Sequence, residues 1–203
     1  VLAARHVNTW VDNAISVFAL LSYATPIFWI GLMLIVLFAI RLGWLPTHGF
    51  AAVGAAGSGL AHALDVGRHL VLPATTLALF YVALYTRLMR ASMLDVYGLE
   101  YVQSARAKGL SERRVAVKHV LRNALLPVVT MAGIQVGHML GGSVLVETVF
   151  GWPGLGRLAF ESVFARDINL LLGLLLFSSV LVVAANLVTD LLYSVLDPRI
   201  TVR

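Results

Sequence analysis

The sequence predicts an all-α integral membrane protein, a polytopic bundle of helices, from three observations. Of its 203 residues, 60% are hydrophobic and only 12% are charged, whereas a soluble domain carries about 25% charged residues. Four stretches without a charged side chain reach or approach the ~18–20 residues that cross a bilayer as a helix. Lysine and arginine are concentrated in one of the segments that connect these stretches, which is typical of a cytoplasmic loop.

The uncharged stretches place the spans at about residues 13–40, 69–88, 123–146 and 168–190. Prolines lie inside or at the ends of three of them, at Pro26, Pro73 and Pro127; membrane helices tolerate proline because neighbouring groups satisfy the freed backbone. The chain opens on four apolar residues followed by Arg5. We therefore expect one transmembrane domain over residues 1–203 that is the C-terminal portion of a longer protein.

The distribution of basic residues predicts the orientation of these spans. The segment 87–122 carries eight, whereas 41–68 and 147–167 carry two each; the eight are Arg87, Arg90, Arg106, Lys108, Arg113, Arg114, Lys118 and Arg122. This asymmetry predicts that segment 87–122 and the C-terminus are cytoplasmic and that the other two connections face outward. Because topology explains the net charge of +5, no nucleic acid is expected as a partner.

The connection 41–68 is rich in glycine and alanine and is predicted to be a flexible outer loop. It contains His48 and His62, and His69 lies at its edge. Their spacing matches no helical pair of metal ligands, and the chain has no cysteine, so no metal site is predicted.

The basic connection, about residues 91–122, is predicted to fold as a helix, a glycine turn and a second helix. The pattern from Ser92 to Ala107 predicts a helix that continues from the second span. Gly109 can adopt the left-handed conformation that ends a helix, and Ser111 can cap the next one. Small residues around the turn suit the close approach of another protein, with Arg106 and Lys108 offering charge; a solvated inner loop is the alternative.

Polar residues in and after the third span are candidates for a translocation pathway. Gln135, His138 and Ser143 either line such a pathway or form hydrogen bonds between helices. Glu147, at the outer end of the span, either contacts a substrate or binding protein or makes a salt bridge at a helix end. The sequence predicts that Trp152 anchors the chain at the membrane–water interface and that Pro153 forms a turn.

Three segments carry a resemblance to a known family. The run Gln103–Gly109 resembles the EAA-type coupling motif of ABC-importer permeases. Val146–Arg157 and Asp190–Ile200 resemble the outer segment and C-terminus of the dipeptide/oligopeptide/nickel subfamily. Gln103 stands where the general motif has an acidic residue, and Ser104 stands at its first alanine.

The resemblance implies a type I importer permease of about six helices in the inner membrane, with the four spans as helices three to six. It implies a contact with an ATPase through Gln103, Ser104, Ala105, Arg106, Ala107, Lys108, Gly109 and Leu110. It makes the outer segment a candidate gate or binding-protein contact through Glu147, Trp152, Pro153, Gly154 and Arg157. The implied partners are two cytoplasmic ATPase subunits, a second and paralogous permease, an external solute-binding protein and the lipid bilayer.

The function that follows is a channel subunit of an ATP-driven importer of peptides or similar solutes. The chain itself is expected to be no enzyme and to hold no cofactor, because ATP and Mg²⁺ would bind to the ATPases; its sequence has no GxxxxGK[ST] loop. A scaffold that recruits a cytoplasmic partner through the basic loop is the alternative, and a secondary transporter would need more ionisable residues within the spans. The sequence does not identify the solute.

Overall fold

The computed structural model describes residues 9–52, 59–140 and 143–196, and these form helices without a strand. The side chains of residues 137, 138, 140, 190 and 192–196 lie outside the described part. The candidate His138 is therefore outside it, as is most of the C-terminal segment 190–200. The helical architecture confirms the predicted all-α fold.

Nine α-helices follow one another in the described residues, and two of them are extended by π-helical turns. They are α1 (Trp10–Ala24), α2 (Ile27–Leu34, continued as a π-helix over Ile35–Arg41), α3 (Leu60–Tyr97), α4 (Glu100–Ala107), α5 (Glu112–Arg114, continued as a π-helix over Val115–Leu121), α6 (Arg122–Leu140), α7 (Val144–Phe150), α8 (Leu155–Ala165) and α9 (Ile168–Leu196). Within the described part of the chain, three stretches are long and apolar enough to cross a membrane: Leu60–Tyr97, Glu112–Val136 and Ile168–Thr189. The pair α1 and α2 with its π-helix passes the same test if taken together as one span.

The chain forms two compact units. Of the described residues, the first unit contains 9–24, 81–134 and 189–196, and the second contains 25–52, 59–80, 135–140 and 143–188.

The core of the first unit lies under the basic connection. Its fully or almost fully buried members are Met93, Val102, Ala105, Val115, Val120 and Ala124, and Leu110 and Tyr97 pack against them. These residues come from α3, α4, the α5 π-helix and α6, so the connection between two long helices has a hydrophobic core of its own.

The core of the second unit is built around Phe150, which is 2% exposed, together with Leu72 and Val146. Gly31 of α2 brings its backbone close to this ring, because a Cβ there would lie 3.1 Å from Phe150 Cε2. The short helix α7 is thereby fixed against α2.

Three helix boundaries differ from the sequence prediction. The predicted loop 41–68 already turns helical at Leu60, since its alanines and leucines are strong helix formers. The third segment is not one helix as far as Val146: Ser143 is non-helical (φ −106°, ψ 83°), and α7 begins at Val144. The first segment is interrupted between Ala24 and Ile27, where the ring of Pro26 removes a backbone donor.

The predicted continuous helix from Ser92 to Ala107 is also wrong. Helix α3 ends at Tyr97, and Leu99 is extended (φ −77°, ψ 145°) before α4 starts at Glu100. The break redirects the chain so that Val102 and Ala105 of α4 pack against Met93 of α3. The N–H groups of Gly98 and Leu99 still donate at the break, to the carbonyls of Asp95 (3.2 Å) and Val96 (3.1 Å), so the bend gains the burial of these apolar side chains at little cost in hydrogen bonds.

Candidate functional site

Helix α4 carries most of the predicted coupling residues and rests on the core of the first unit. Val102 is fully buried and Ala105 is 6% exposed, and both face Met93, Val115 and Val120. Ala105 is thus a core residue, whereas a docking surface had been predicted for the whole run. Its small side chain matters on the inner side of the helix, where it lets α4 lie close to the core.

The opposite side of α4 is exposed and consists of short or flexible side chains. Gln103, Ser104, Ala107, Lys108 and Gly109 are all exposed. An exposed surface with small residues at its centre can be approached closely by another backbone, and Lys108 supplies a positive charge at its end. The structure therefore brings these five predicted residues together on one accessible surface, which we call the α4 surface.

Gly109 ends α4 in the manner that the sequence predicts. Its φ is 77°, in the left-handed region that favours glycine. The N–H of Gly109 donates to the carbonyl of Arg106 (2.9 Å) and that of Leu110 to the carbonyl of Ala105 (3.4 Å), which is the Schellman pattern. Leu110 packs on the core beside Ala105. Ser111 occupies the N-cap position of α5, but its side chain makes no capping hydrogen bond.

Arg106 is engaged by residues of its own unit, and a contact of its charge with a partner stays a prediction. Its Nε and Nη2 atoms donate to the two carboxylate oxygens of Glu112 at 2.8 and 3.1 Å. Its guanidinium also lies over the ring of Tyr97, 5.4 Å from the centroid. The hydrogen bonds with Glu112 raise the pKa of Arg106 above its ordinary value. Arg106 therefore links the two helices on either side of the glycine turn. Lys108 is the charged residue of the α4 surface.

Two polar residues that the sequence reading did not single out tie α4 to the returning helix. The hydroxyl of Tyr101 donates to the backbone carbonyl of His119 (3.1 Å), and Asn123 Nδ2 donates to the same hydroxyl. His119 lies in the π-helix, whose wider turns are often found at functional sites. No periodicity links positions 101, 119 and 123, so the sequence offered no signal for this connection.

In the second unit, Glu147 organises the outer segment through its carboxylate. Oε1 accepts a hydrogen bond from the N–H of Ser143 (2.7 Å), and Oε2 accepts one from the N–H of Arg157 (2.8 Å). These donors lie at the starts of α7 and α8, where unpaired N–H groups and the positive end of the helix dipole favour an anion. The carboxylate of Glu147 thus caps two helix starts, whereas the sequence left open a salt bridge at a helix end or a contact with a substrate or binding protein. The Arg157 guanidinium pairs with Glu161 (2.7 Å).

Two glycines make this arrangement possible. A side chain at position 154 would overlap the Glu147 carboxylate, and a Cβ at position 156 would lie 2.7 Å from the backbone nitrogen of Val144. Trp152 is half-buried and packs edge-on against Phe50, with ring centroids 5.2 Å apart, while Pro153 is exposed. The predicted outer residues thus form one folded element rather than a loose loop.

Two of the three pathway candidates, Gln135 and Ser143, lie in the described part of the chain. Gln135 is half-buried in α6, and Ser143 precedes α7 with its N–H bonded to Glu147. A pathway role for them, and for His138, stays a prediction.

Comparison with known proteins agrees with this architecture. The family model described as "binding-protein-dependent transport system inner membrane component" matches residues 1–202. The chain is 44% identical over 200 residues to an oligopeptide transport system permease protein, AppB, of Bacillus subtilis. It is 43% identical over 200 residues to a glutathione transport system permease protein, GsiC, of Escherichia coli, and 39% identical over 212 residues to a dipeptide transport system permease protein, DppB, of Haemophilus influenzae.

Each of these alignments covers 98% of this chain but only 61–64% of the relative. The chain therefore spans about three fifths of the length of the curated relatives it matches. Together with the apolar helices, the match over nearly every residue leads to one conclusion: the chain belongs to the family of inner-membrane components of binding-protein-dependent transport systems.

Proposed function

We propose that this chain is the transmembrane channel subunit of an ATP-driven importer that moves peptides or similar small solutes across the cytoplasmic membrane. The family and the names of relatives that are 39–44% identical support this class of solute. The observation that carries the mechanism is the α4 surface, an exposed patch of small residues mounted on a closed hydrophobic core.

A rigid mount is what a mechanical coupling element needs. If α4 were a loose loop, a push from a partner would be absorbed by the loop. Met93, Val102, Val115 and Val120 are each fully buried beneath it, and close-packed interiors are poorly compressible. A displacement of the α4 surface is therefore passed to α3 and α6, the long helices on either side of the connection.

The proposed partners supply the energy, the second half of the channel and the solute. Two cytoplasmic ATPase subunits bind ATP and Mg²⁺, and one of them holds the α4 surface. A second, paralogous permease completes the channel, and an external binding protein delivers the solute. The chain itself supplies no cofactor site and no catalytic group, and ATP-driven closure of the ATPases switches the channel between two states.

The proposed orientation places the α4 surface, the basic segment 87–122 and the C-terminus in the cytoplasm. The outer segment then faces the binding protein. Trp152, Pro153 and the nearby Arg157 are the proposed contacts or outer gate, whereas Glu147 and Gly154 hold the segment in shape. Both oxygens of Glu147 are engaged by backbone donors, which supports a positioning role.

A pair of tryptophan substitutions tests the docking proposal in the full-length transporter. Ser104→Trp adds bulk at the centre of the α4 surface without touching the core, since Ser104 is exposed. Arg114→Trp adds the same bulk at an exposed position on the next helix and serves as the control. The measurements are the amount of ATPase that copurifies from membranes and the ATP-dependent uptake of a labelled dipeptide and a labelled oligopeptide.

We expect Ser104→Trp to release the ATPase and abolish uptake, while Arg114→Trp retains both. Equal retention of the ATPase by the two variants would contradict docking at α4. If no ATPase copurifies with the unsubstituted protein and ATP does not affect uptake, the importer function itself is wrong and the scaffold reading replaces it.

A further inference from the structure

A buried ion pair joins α1 to α3 in the first unit. Arg90 Nε and Nη2 each lie 2.7 Å from one carboxylate oxygen of Asp12, so the contact is bidentate. Asp12 is only 2% exposed, although the side chain of Arg90 is 31% exposed. The two residues are 78 positions apart in the sequence. Asp12 borders the first uncharged stretch, and Arg90 is one of the eight basic residues of the segment 87–122.

The Asp12 carboxylate is further held by its own helix. The hydroxyl of Ser16, one turn further along α1, lies 3.5 Å from Oδ1 and donates to it. A carboxylate taken out of water is costly unless it is paired and hydrogen-bonded. The surroundings of Asp12 meet that condition, and removal of the Arg90 guanidinium takes the bidentate donor away from a buried carboxylate.

The pair lies one helical turn from the mount of the α4 surface. Met93, three residues after Arg90 on α3, is fully buried and packs against Val102 and Ala105 of α4. Helix α3 therefore carries both contacts, the packing of Met93 against α4 and the pairing of Arg90 with Asp12 of α1. A second contact joins the same two helices, since the guanidinium of Arg87 lies 5.5 Å from the ring centroid of Tyr23.

The chemistry of the pair fits a mechanical link better than a simple packing contact. Apolar side chains resist separation but allow sliding, because the hydrophobic effect is not directional. A bidentate guanidinium–carboxylate contact fixes both distance and angle. It therefore holds the register of α1 against α3 when α4 is displaced.

We propose that Asp12 and Arg90 are positioning residues that make α1 move together with α4, so that displacement of the α4 surface reaches the first membrane segment. This inference rests on the proposed function. It predicts that loss of the pair leaves the ATPase docked and active but reduces the solute moved per ATP hydrolysed.

The test uses the full-length permease with its partner subunits in proteoliposomes. Asp12→Asn keeps the shape of the side chain and removes its charge, and Arg90→Lys keeps the charge but cannot bind in a bidentate manner. The double variant Asp12→Arg, Arg90→Asp restores a pair of opposite charges with its direction reversed. Glu161→Gln, which removes an exposed guanidinium–carboxylate contact of the second unit, is the matched control.

For each variant we would measure three quantities: the copurified ATPase, the rate of ATP hydrolysis, and the peptide taken up per ATP. We expect Asp12→Asn and Arg90→Lys to retain the ATPase and to lower the uptake per ATP by about 5- to 10-fold, the lower range of measured coupling between sites. The reversed pair should recover part of that loss, and Glu161→Gln should show none.

An unchanged ratio of uptake to ATP in well-assembled Asp12→Asn and Arg90→Lys would overturn the proposal. So would a loss of uptake that merely parallels a loss of assembled protein and is not recovered by the reversed pair. Failure of the proposed function is distinguishable, because then the unsubstituted protein would carry no ATPase and show no uptake driven by ATP.

Discussion

Replacement of Glu147 by alanine should destabilise the outer segment far more than its half-buried position suggests. The carboxylate accepts hydrogen bonds from the N–H groups of Ser143 and Arg157, at the starts of two helices. Loss of a capping acceptor costs about 1 kcal/mol per helix, and loss of the negative charge at a helix N-terminus costs about 0.3–1 kcal/mol more. We therefore expect Glu147→Ala to lower the free energy of unfolding by about 2–3 kcal/mol.

The assay is thermal unfolding of the full-length protein in detergent, followed by tryptophan fluorescence. For a chain of this size, 1 kcal/mol corresponds to about 2–4 °C in the melting temperature, so Glu147→Ala should lower it by about 4–12 °C. The control is Glu161→Ala, which removes an exposed carboxylate paired with Arg157 one turn away on the same helix. Such pairs contribute about 0.3–0.5 kcal/mol, and the expected decrease is below about 2 °C.

A second variant separates capping from other roles of the carboxylate. A methyl group at position 154 would displace the Glu147 side chain, so Gly154→Ala should cause a similar decrease. The double variant should be little worse than either single one, because both remove the same interaction. Equal melting temperatures for Glu147→Ala and Glu161→Ala, or full additivity with Gly154→Ala, would refute the capping argument.

Three further substitutions give predictions for the same melting assay. Gly133→Ala should lower the free energy of unfolding by about 1–3 kcal/mol through overpacking, because its Cβ would lie 2.8 Å from the Cβ of Thr189 and closer still to the rest of that side chain. Adding Thr189→Ala should recover part of this stability, and no recovery would show that the strain lies elsewhere. Arg166→Gly should stabilise by about 0.5–1 kcal/mol, since Arg166 has φ 55° and relief of the left-handed strain exceeds the added chain entropy; a lower melting temperature would contradict this. Asp167→Ala should cost about 1 kcal/mol by removing the oxygen that caps Leu170 N–H at 3.0 Å, whereas Asp167→Asn should be almost neutral.

The sequence predicted the glycine turn but not the ion pair of Arg106, for a common reason. Gly109 acts through its own backbone, so a local rule for helix ends was sufficient. The availability of Arg106 depends on where Glu112 and the ring of Tyr97 lie after folding. A basic residue in a basic loop looks free in the sequence, and only its neighbours show that it is engaged.

The break at Gly98 and Leu99 shows the same limit for secondary structure. Helical spacing of apolar residues runs across this point, so the pattern favours one continuous helix. The chain bends there because Val102 and Ala105 then reach the core around Met93, a gain that no local window contains. A helix whose ends are fixed by tertiary packing cannot be delimited by propensity alone.

By itself, the sequence determined that lipid surrounds much of this protein and that it is a helical membrane protein. Long uncharged stretches need lipid, and backbone groups in lipid require helices. The motif at residues 103–109 resembled the permease family to which the chain belongs. These properties depend on composition and on residues close together in the chain, and so they can be read without coordinates.

Only the tertiary structure decided which residues contact one another and which lie on the same surface. It placed Ala105 in a core and Ser104 on the surface, turned Glu147 towards two helix starts, and joined Asp12 to Arg90 across 78 positions. Each of these outcomes depends on distances between atoms that are remote in sequence. Hydrogen bonds and close contacts act over a few ångströms, and the folded arrangement of the helices sets which groups come within that reach.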